Sequence, residues 1–124
     1  MRKCIILTIV PMLMLLASGC FNDKAELLYP AGSCNTDSVT YSKVVKNILT
    51  QNCALSGCHD AATAMNGVEL ETIAGAQLIA HDGRLLGVIN HASGFSPMPK
   101  DKPKLDDCSI LQISKWVSNG APND

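Results

Sequence analysis

An all-α fold is predicted for this chain, on three observations. Apolar residues recur at helical spacing in two stretches, Tyr41 to Leu49 and Ile110 to Val117. Start and stop signals bracket them: Ser38 or Thr40 before the first, Asp106 or Asp107 before the second, and Asn119-Gly120 with Pro122 after it. No segment alternates apolar and polar residues convincingly enough to read as a strand, and no internal repeat is visible. The expected organisation is a cleaved leader over 1–19, a cysteine-initiated linker over 20–37, and one small helical domain over 38–124.

The leader has the build of an export signal. Arg2 and Lys3 supply a positive start, Ile5 to Leu16 is almost unbroken apolar sequence, and small residues Ala17-Ser18-Gly19 precede Cys20. A membrane-spanning helix takes about twenty apolar residues; this run is shorter and contains Pro11. Ala17-Ser18-Gly19-Cys20 resembles the lipobox of bacterial lipoproteins. The resemblance implies cleavage before Cys20, lipidation of that cysteine and an anchor at a membrane surface, where each buried methylene contributes about 0.8 kcal/mol. A plain secretory signal cut before Cys20 is the alternative.

From Cys20 onward the chain is one domain's worth of residues. Of 10 basic residues, Arg2 and Lys3 leave with the leader; 8 then face 11 acidic ones, a net charge of −3 that favours no nucleic acid. Five aromatic residues are a thin supply for a self-sufficient core, so a buried cofactor would add useful apolar bulk. Phe21 to Ser33 mixes charges with Tyr29-Pro30-Ala31-Gly32 and reads as a tether.

The first helix places Tyr41, Val44, Val45, Ile48 and Leu49 on one stripe and runs into Cys53. Asp60 to Gly67 is expected as a loop. A short helix with Thr72 near its start would bury Leu70, Ile73, Ala74, Leu78 and Ile79, and end at His81-Asp82-Gly83. A further short turn of helix holds Leu85, Leu86, Val88 and Ile89, and Asn90 to Asp101 is loop. The last helix would bury Ile110, Leu111, Ile113, Trp116 and Val117.

The chemistry concentrates in Cys53-Ala54-Leu55-Ser56-Gly57-Cys58-His59. Two cysteines with a histidine directly after the second are the residues that attach a c-type haem, ordinarily as Cys-x-x-Cys-His. The thiols form thioethers to the porphyrin, and the adjoining imidazole coordinates the iron. Four residues separate these cysteines instead of two, and the extra pair must bulge outward, which small Ser56 and permissive Gly57 allow. A local Cys53–Cys58 disulfide beside a surface His59 is the plainer alternative. Zinc suits the pattern poorly, because adjacent Cys58 and His59 are badly placed to share one small ion.

A second axial ligand is sought next. Met1, Met12 and Met14 leave with the leader, and Met65 lies six residues beyond His59, too near to pass to the opposite haem face. Met98 remains, in Ser96-Pro97-Met98-Pro99, where the prolines stiffen a non-helical loop. A thioether ligand there would raise the reduction potential. His91 is the rival distal ligand, and an ordinary apolar plug is the other reading of Met98. His81 reads as a surface or capping histidine. Lys100, Lys102 and Lys104 flank Met98 and would steer an acidic partner; Asp101, Asp106 and Asp107 among them favour a merely solvated face.

With Cys4 lost, Cys20 lipidated and Cys53 and Cys58 taken by haem, Cys34 and Cys108 are left over. Export to an oxidising compartment predicts that they pair as a disulfide, two free thiols being the alternative.

A helix, a cysteine pair with histidine, a later Met-Pro loop and a terminal helix with an aromatic residue together resemble class I cytochromes c. Ile48-Leu49, Asn52-Cys53-Ala54, Gly57-Cys58-His59, Met98-Pro99 and Trp116 through Gly120-Ala121 are similar to small cytochrome c domains of bacterial envelope lipoproteins. The resemblance covers roughly Val39 to Asn123 and departs in the cysteine spacing. It implies an N-terminal helix crossing a C-terminal one beside a single haem c, with His59 proximal and Met98 distal. The expected protein is therefore a monohaem electron carrier rather than an enzyme. It would be exported and lipid-anchored, facing the periplasm or cell surface, with other redox proteins of the envelope as partners. A haem protein with an open catalytic or gas-binding site, and a haem-free disulfide-bonded lipoprotein with a binding or structural role, are the competing expectations.

Overall fold

The structure is a computed structural model that describes residues 34–124. The expected leader, the lipidation site Cys20 and the tether Phe21 to Ser33 lie outside the described residues. Among the described residues the fold is helical with no strand, and no helix is long and apolar enough to cross a membrane.

Helix α1 comprises a π-helical turn, Tyr41–Val45, running directly into an α-helix, Lys46–Asn52. Thr40 caps it, its Oγ1 accepting from Lys43 N–H at 3.3 Å. Asp124 covers the same end: its Oδ1 accepts from Tyr41 N–H at 2.6 Å and its main-chain oxygen from Ser42 N–H at 3.1 Å. The wide first turn, with Val45 N–H reaching Thr40 O at 3.2 Å, was not foreseen from the sequence. It lines up Tyr41, Val45 and Leu49 as the buried stripe, leaving Val44 and Ile48 at its margin.

A 3₁₀ turn, Met65–Gly67, interrupts the expected loop before α2, Ile73–His81. Thr72 caps α2, accepting from Gly75 N–H at 3.3 Å. The buried face of α2 is Ala76, Ile79 and Ala80; Ala74 and Leu78 point outward, correcting the expected stripe. Ala76, Ile79 and Ala80 share one side of the helix and Ala74 and Leu78 the opposite one, so only one set can face the core. Gly75 lets α2 approach the Glu69 backbone, where a Cβ would clash with the Glu69 carbonyl.

Helix α3, Arg84–Ile89, follows Gly83 (φ 80°) and buries Leu85 and Ile89. Helix α4, Asp107–Ser118, is capped by Asp106, which accepts from Ser109 N–H at 2.9 Å and from the Ser109 hydroxyl at 2.6 Å. It buries Ile110, Ile113 and Trp116, while Leu111 is exposed, against expectation. Its end follows a paired pattern: Ala121 N–H to Trp116 O at 3.0 Å and Gly120 N–H to Val117 O at 2.9 Å, with Gly120 at φ 89°.

The core sits where α1 and α3 pack against α4 and α2 packs on α3. Val45, Leu49, Ile113 and Trp116 are fully buried, each contributing on the order of 1.5–3 kcal/mol by leaving water. Trp116 stacks at a tilt on Tyr41 with centroids 5.6 Å apart, and its indole N–H donates to Pro122 O at 2.9 Å. Gln77 ties α2 to the C-terminal segment through Ala121 O, at 2.8 Å. Cys34 and Cys108 are disulfide-bonded, joining the segment ahead of α1 to the first turn of α4.

Candidate functional site: an apolar cleft at the cysteine–histidine loop

The cleft begins where α1 ends. Cys53 N–H and Ala54 N–H both return to Leu49 O, at 2.8 and 2.9 Å, closing the helix and fixing Cys53 at the cleft wall. The loop beyond closes on itself: Cys58 N–H donates to Leu55 O at 2.8 Å and His59 N–H to Cys53 O at 3.2 Å. Leu55 to Cys58 is thus a β-turn whose third residue, Gly57, has φ 81°, a conformation that suits glycine. The two additional residues between the cysteines are absorbed in that turn. Both thiols are free, Cys58 exposed and Cys53 half-buried. Burial, with a smaller contribution from the nearby Cys58, pushes the Cys53 thiol up to about 11.

His59 is gripped from two directions. Its carbonyl accepts from Leu70 N–H at 2.8 Å, and its Nδ1 lies 3.0 Å from Val68 O. A carbonyl only accepts, so Nδ1 donates, and in the neutral imidazole Nε2 is the nitrogen left with a lone pair. That arrangement orients ligating histidines in general. The segment behind it is firm, because Leu70 is in the core and Glu69 lies against Gly75. Glu69 also accepts from Thr72 N–H at 2.8 Å, and the Thr72 hydroxyl holds its carboxyl below the usual range.

Three cavities share Met98, and two of them open at this loop. One of about 150 Å³ is bounded by Cys53, Cys58, His59, Met65, Met98 and Lys100. A second, of about 420 Å³, shares Cys53, His59 and Met98 and runs inward over Val68, Leu85 and Phe95. A third, of about 450 Å³, lies between Asn66, Ser96 and Met98. The two larger volumes lie within the range of about 300–1,000 Å³ typical of cofactor and small-molecule sites, and the walls are mostly apolar.

The structure thus brings Cys53, Cys58, His59 and Met98 to one cleft. His91 lines none of the three cavities; its Nε2 is 3.1 Å from the Met98 carbonyl. Met65 borders the smallest cavity and is 46% exposed, Lys100 and Lys102 stand at the same rim, and Lys104 is not among the lining residues. Sequence reasoning missed Phe95, whose ring lies against Gly87: a Cβ there would be 2.6 Å from the ring carbons. The readable signal was a glycine within a predicted helix, a usual mark of close approach. It also missed Val68, which acts through its carbonyl and so leaves no mark in side-chain type.

Chemically, the cleft offers two alkylatable thiols, one imidazole with a fixed free nitrogen, a thioether, and apolar walls. That set can bind a broad flat apolar ring covalently at one edge and ligate a metal at its centre. Among the described residues, no group of three or more His, Cys, Asp or Glu side chains gathers to hold a bare ion. Comparisons with family models, curated proteins and solved structures find nothing that matches this chain.

Proposed function

We propose that residues 38–124 form a monohaem c-type cytochrome domain, a one-electron carrier of the bacterial cell envelope held to a membrane through lipid on Cys20. The supporting observation is the meeting of free Cys53 and Cys58, an Nδ1-anchored His59 and Met98 around one apolar cleft. The haem supplies reversible exchange of one electron. Cys53 and Cys58 would hold it by thioether bonds, His59 Nε2 and Met98 Sδ would ligate its iron, and Val68, Leu85 and Phe95 would exclude water. Two protein ligands to the iron would suit a carrier, which needs no substrate at the metal. The free thiols disfavour the haem-free alternative built on a Cys53–Cys58 disulfide.

The test is to export the full chain in a host that matures c-type cytochromes and to measure its mass and optical spectrum. The expected product carries one covalent haem, acyl chains at Cys20, and a low-spin spectrum that Met98→Ala abolishes. A matured chain without added porphyrin mass refutes the haem assignment, and a spectrum indifferent to Met98→Ala refutes the carrier in favour of an open-site haem protein.

A further inference from the structure

Met98 is held by its main chain from both sides, and both holds come from the end of α3. Its N–H donates to Val88 O at 3.0 Å, and its carbonyl lies 3.1 Å from His91 Nε2. Since that carbonyl only accepts, Nε2 carries the proton and donates.

His91 occupies an unusual backbone position to do this. Helix α3 closes with His91 N–H to Val88 O at 3.3 Å and Ala92 N–H to Gly87 O at 3.0 Å, the same paired pattern that ends α4. In α4 the left-handed residue of the pattern is Gly120; in α3 it is His91, with φ 54°. Left-handed backbone penalises a residue with a Cβ and leaves glycine unpenalised. The helix end alone would favour glycine, yet an imidazole stands there, and its ring meets Met98. A strained position held by its surroundings is grounds for assigning a role to the side chain.

We propose that His91 is a positioning residue for Met98. By donating Nε2–H to the Met98 carbonyl it fixes the loop that turns the thioether toward the cleft. On the haem reading proposed above, on which this part rests, it thereby sets how firmly Met98 holds the iron. His91 lines none of the three cavities described above, and the hydrogen bond its ring makes is to Met98.

The test compares haem-loaded protein as wild type, His91→Gly and His91→Gln. His91→Gly removes the ring and leaves a residue that adopts the left-handed backbone without penalty, so the helix end should keep its form. Loss of one hydrogen bond should nevertheless weaken the sulfur-to-iron charge-transfer band of the ferric protein and tighten binding of added imidazole about tenfold. His91→Gln restores a side-chain N–H and should return imidazole binding toward wild type. An unchanged band and imidazole affinity in His91→Gly overturn the proposal, as does a wild-type bis-histidine spectrum that His91→Gly abolishes. In haem-free chain the clamp is read by hydrogen exchange: Met98 N–H should exchange about tenfold faster in His91→Gly, and equal rates refute the clamp. A chain that takes up no haem refutes the proposed function separately, and the exchange comparison still judges His91.

Discussion

Where α1 meets α4, the domain is packed to completion: Val45, Leu49, Ile113 and Trp116 are fully buried, and Tyr41 stacks on Trp116. On the side of the cysteine–histidine loop, Phe95 is 40% and Met65 46% exposed, Met98 is half-buried, and cavities separate them. Apolar side chains occur on both sides, so hydrophobicity does not distinguish them. What differs is whether protein atoms complete the contact. The α1–α4 side closes its apolar contacts with its own atoms, leaving only the Tyr41 hydroxyl there without a hydrogen-bond partner among the described residues. The cleft side presents apolar surface and ligating atoms that nothing among the described residues covers, as a binding wall does.

This contrast can be broken by mutation. The largest expected effect is Trp116→Ala, which should cost about 3–5 kcal/mol in a urea titration of haem-free protein, whereas Phe95→Ala should cost no more than about 1 kcal/mol. Equal losses would erase the distinction between the two sides. Next, replacing both Cys34 and Cys108 by Ser should lower stability by about 2–4 kcal/mol, since the pair spans 74 residues. If the chain carries the proposed haem, its spectrum should remain unaltered, because the bridge ties the packed side and touches none of the three cavities; a changed spectrum would couple the two regions.

The smallest effect, at the α4 cap, sharpens the comparison by pH. The Ser109 hydroxyl and N–H hold the Asp106 carboxyl below its usual range. A carboxyl lowered by folding contributes stability in full above its unfolded value of about 3.9, and loses it as pH falls through the lower folded value. Asp106→Ala should therefore cost about 1 kcal/mol at pH 7 and progressively less below about pH 4. Urea midpoints of wild type and variant, measured at both pH values, check this; a gap that stays constant would assign the effect to packing rather than to the charged cap.

Much of the fold was legible because its cues are local. Thr40, Thr72, Asp106 and Gly120 stand where capping chemistry predicts, and the helices follow. Leu78 and Leu111 read as core yet are exposed, because which flank of an apolar stripe is buried depends on the neighbouring element. The π-helical turn escaped for a related reason: Tyr41 and Val45, four apart, are equally compatible with an ordinary helix, and nothing in their side-chain types marks the wider turn. At the site, the side chains with distinctive chemistry were readable as types. The Val68 carbonyl that orients His59 was not, since every residue carries a carbonyl.

By itself the sequence determined the helical class, the caps, and a set of thiol, imidazole and thioether groups suited to one cofactor. These follow from periodicity and side-chain chemistry, which act over a few residues. Only the tertiary structure decided that Met98 comes to the loop of Cys53 and Cys58, that Val68 selects the free nitrogen of His59, and that His91 stands behind Met98 instead of in the cleft. Such meetings between distant segments depend on how α3 packs against α4 and how α2 closes on Glu69 through Gly75, and close packing leaves no signature within any one segment.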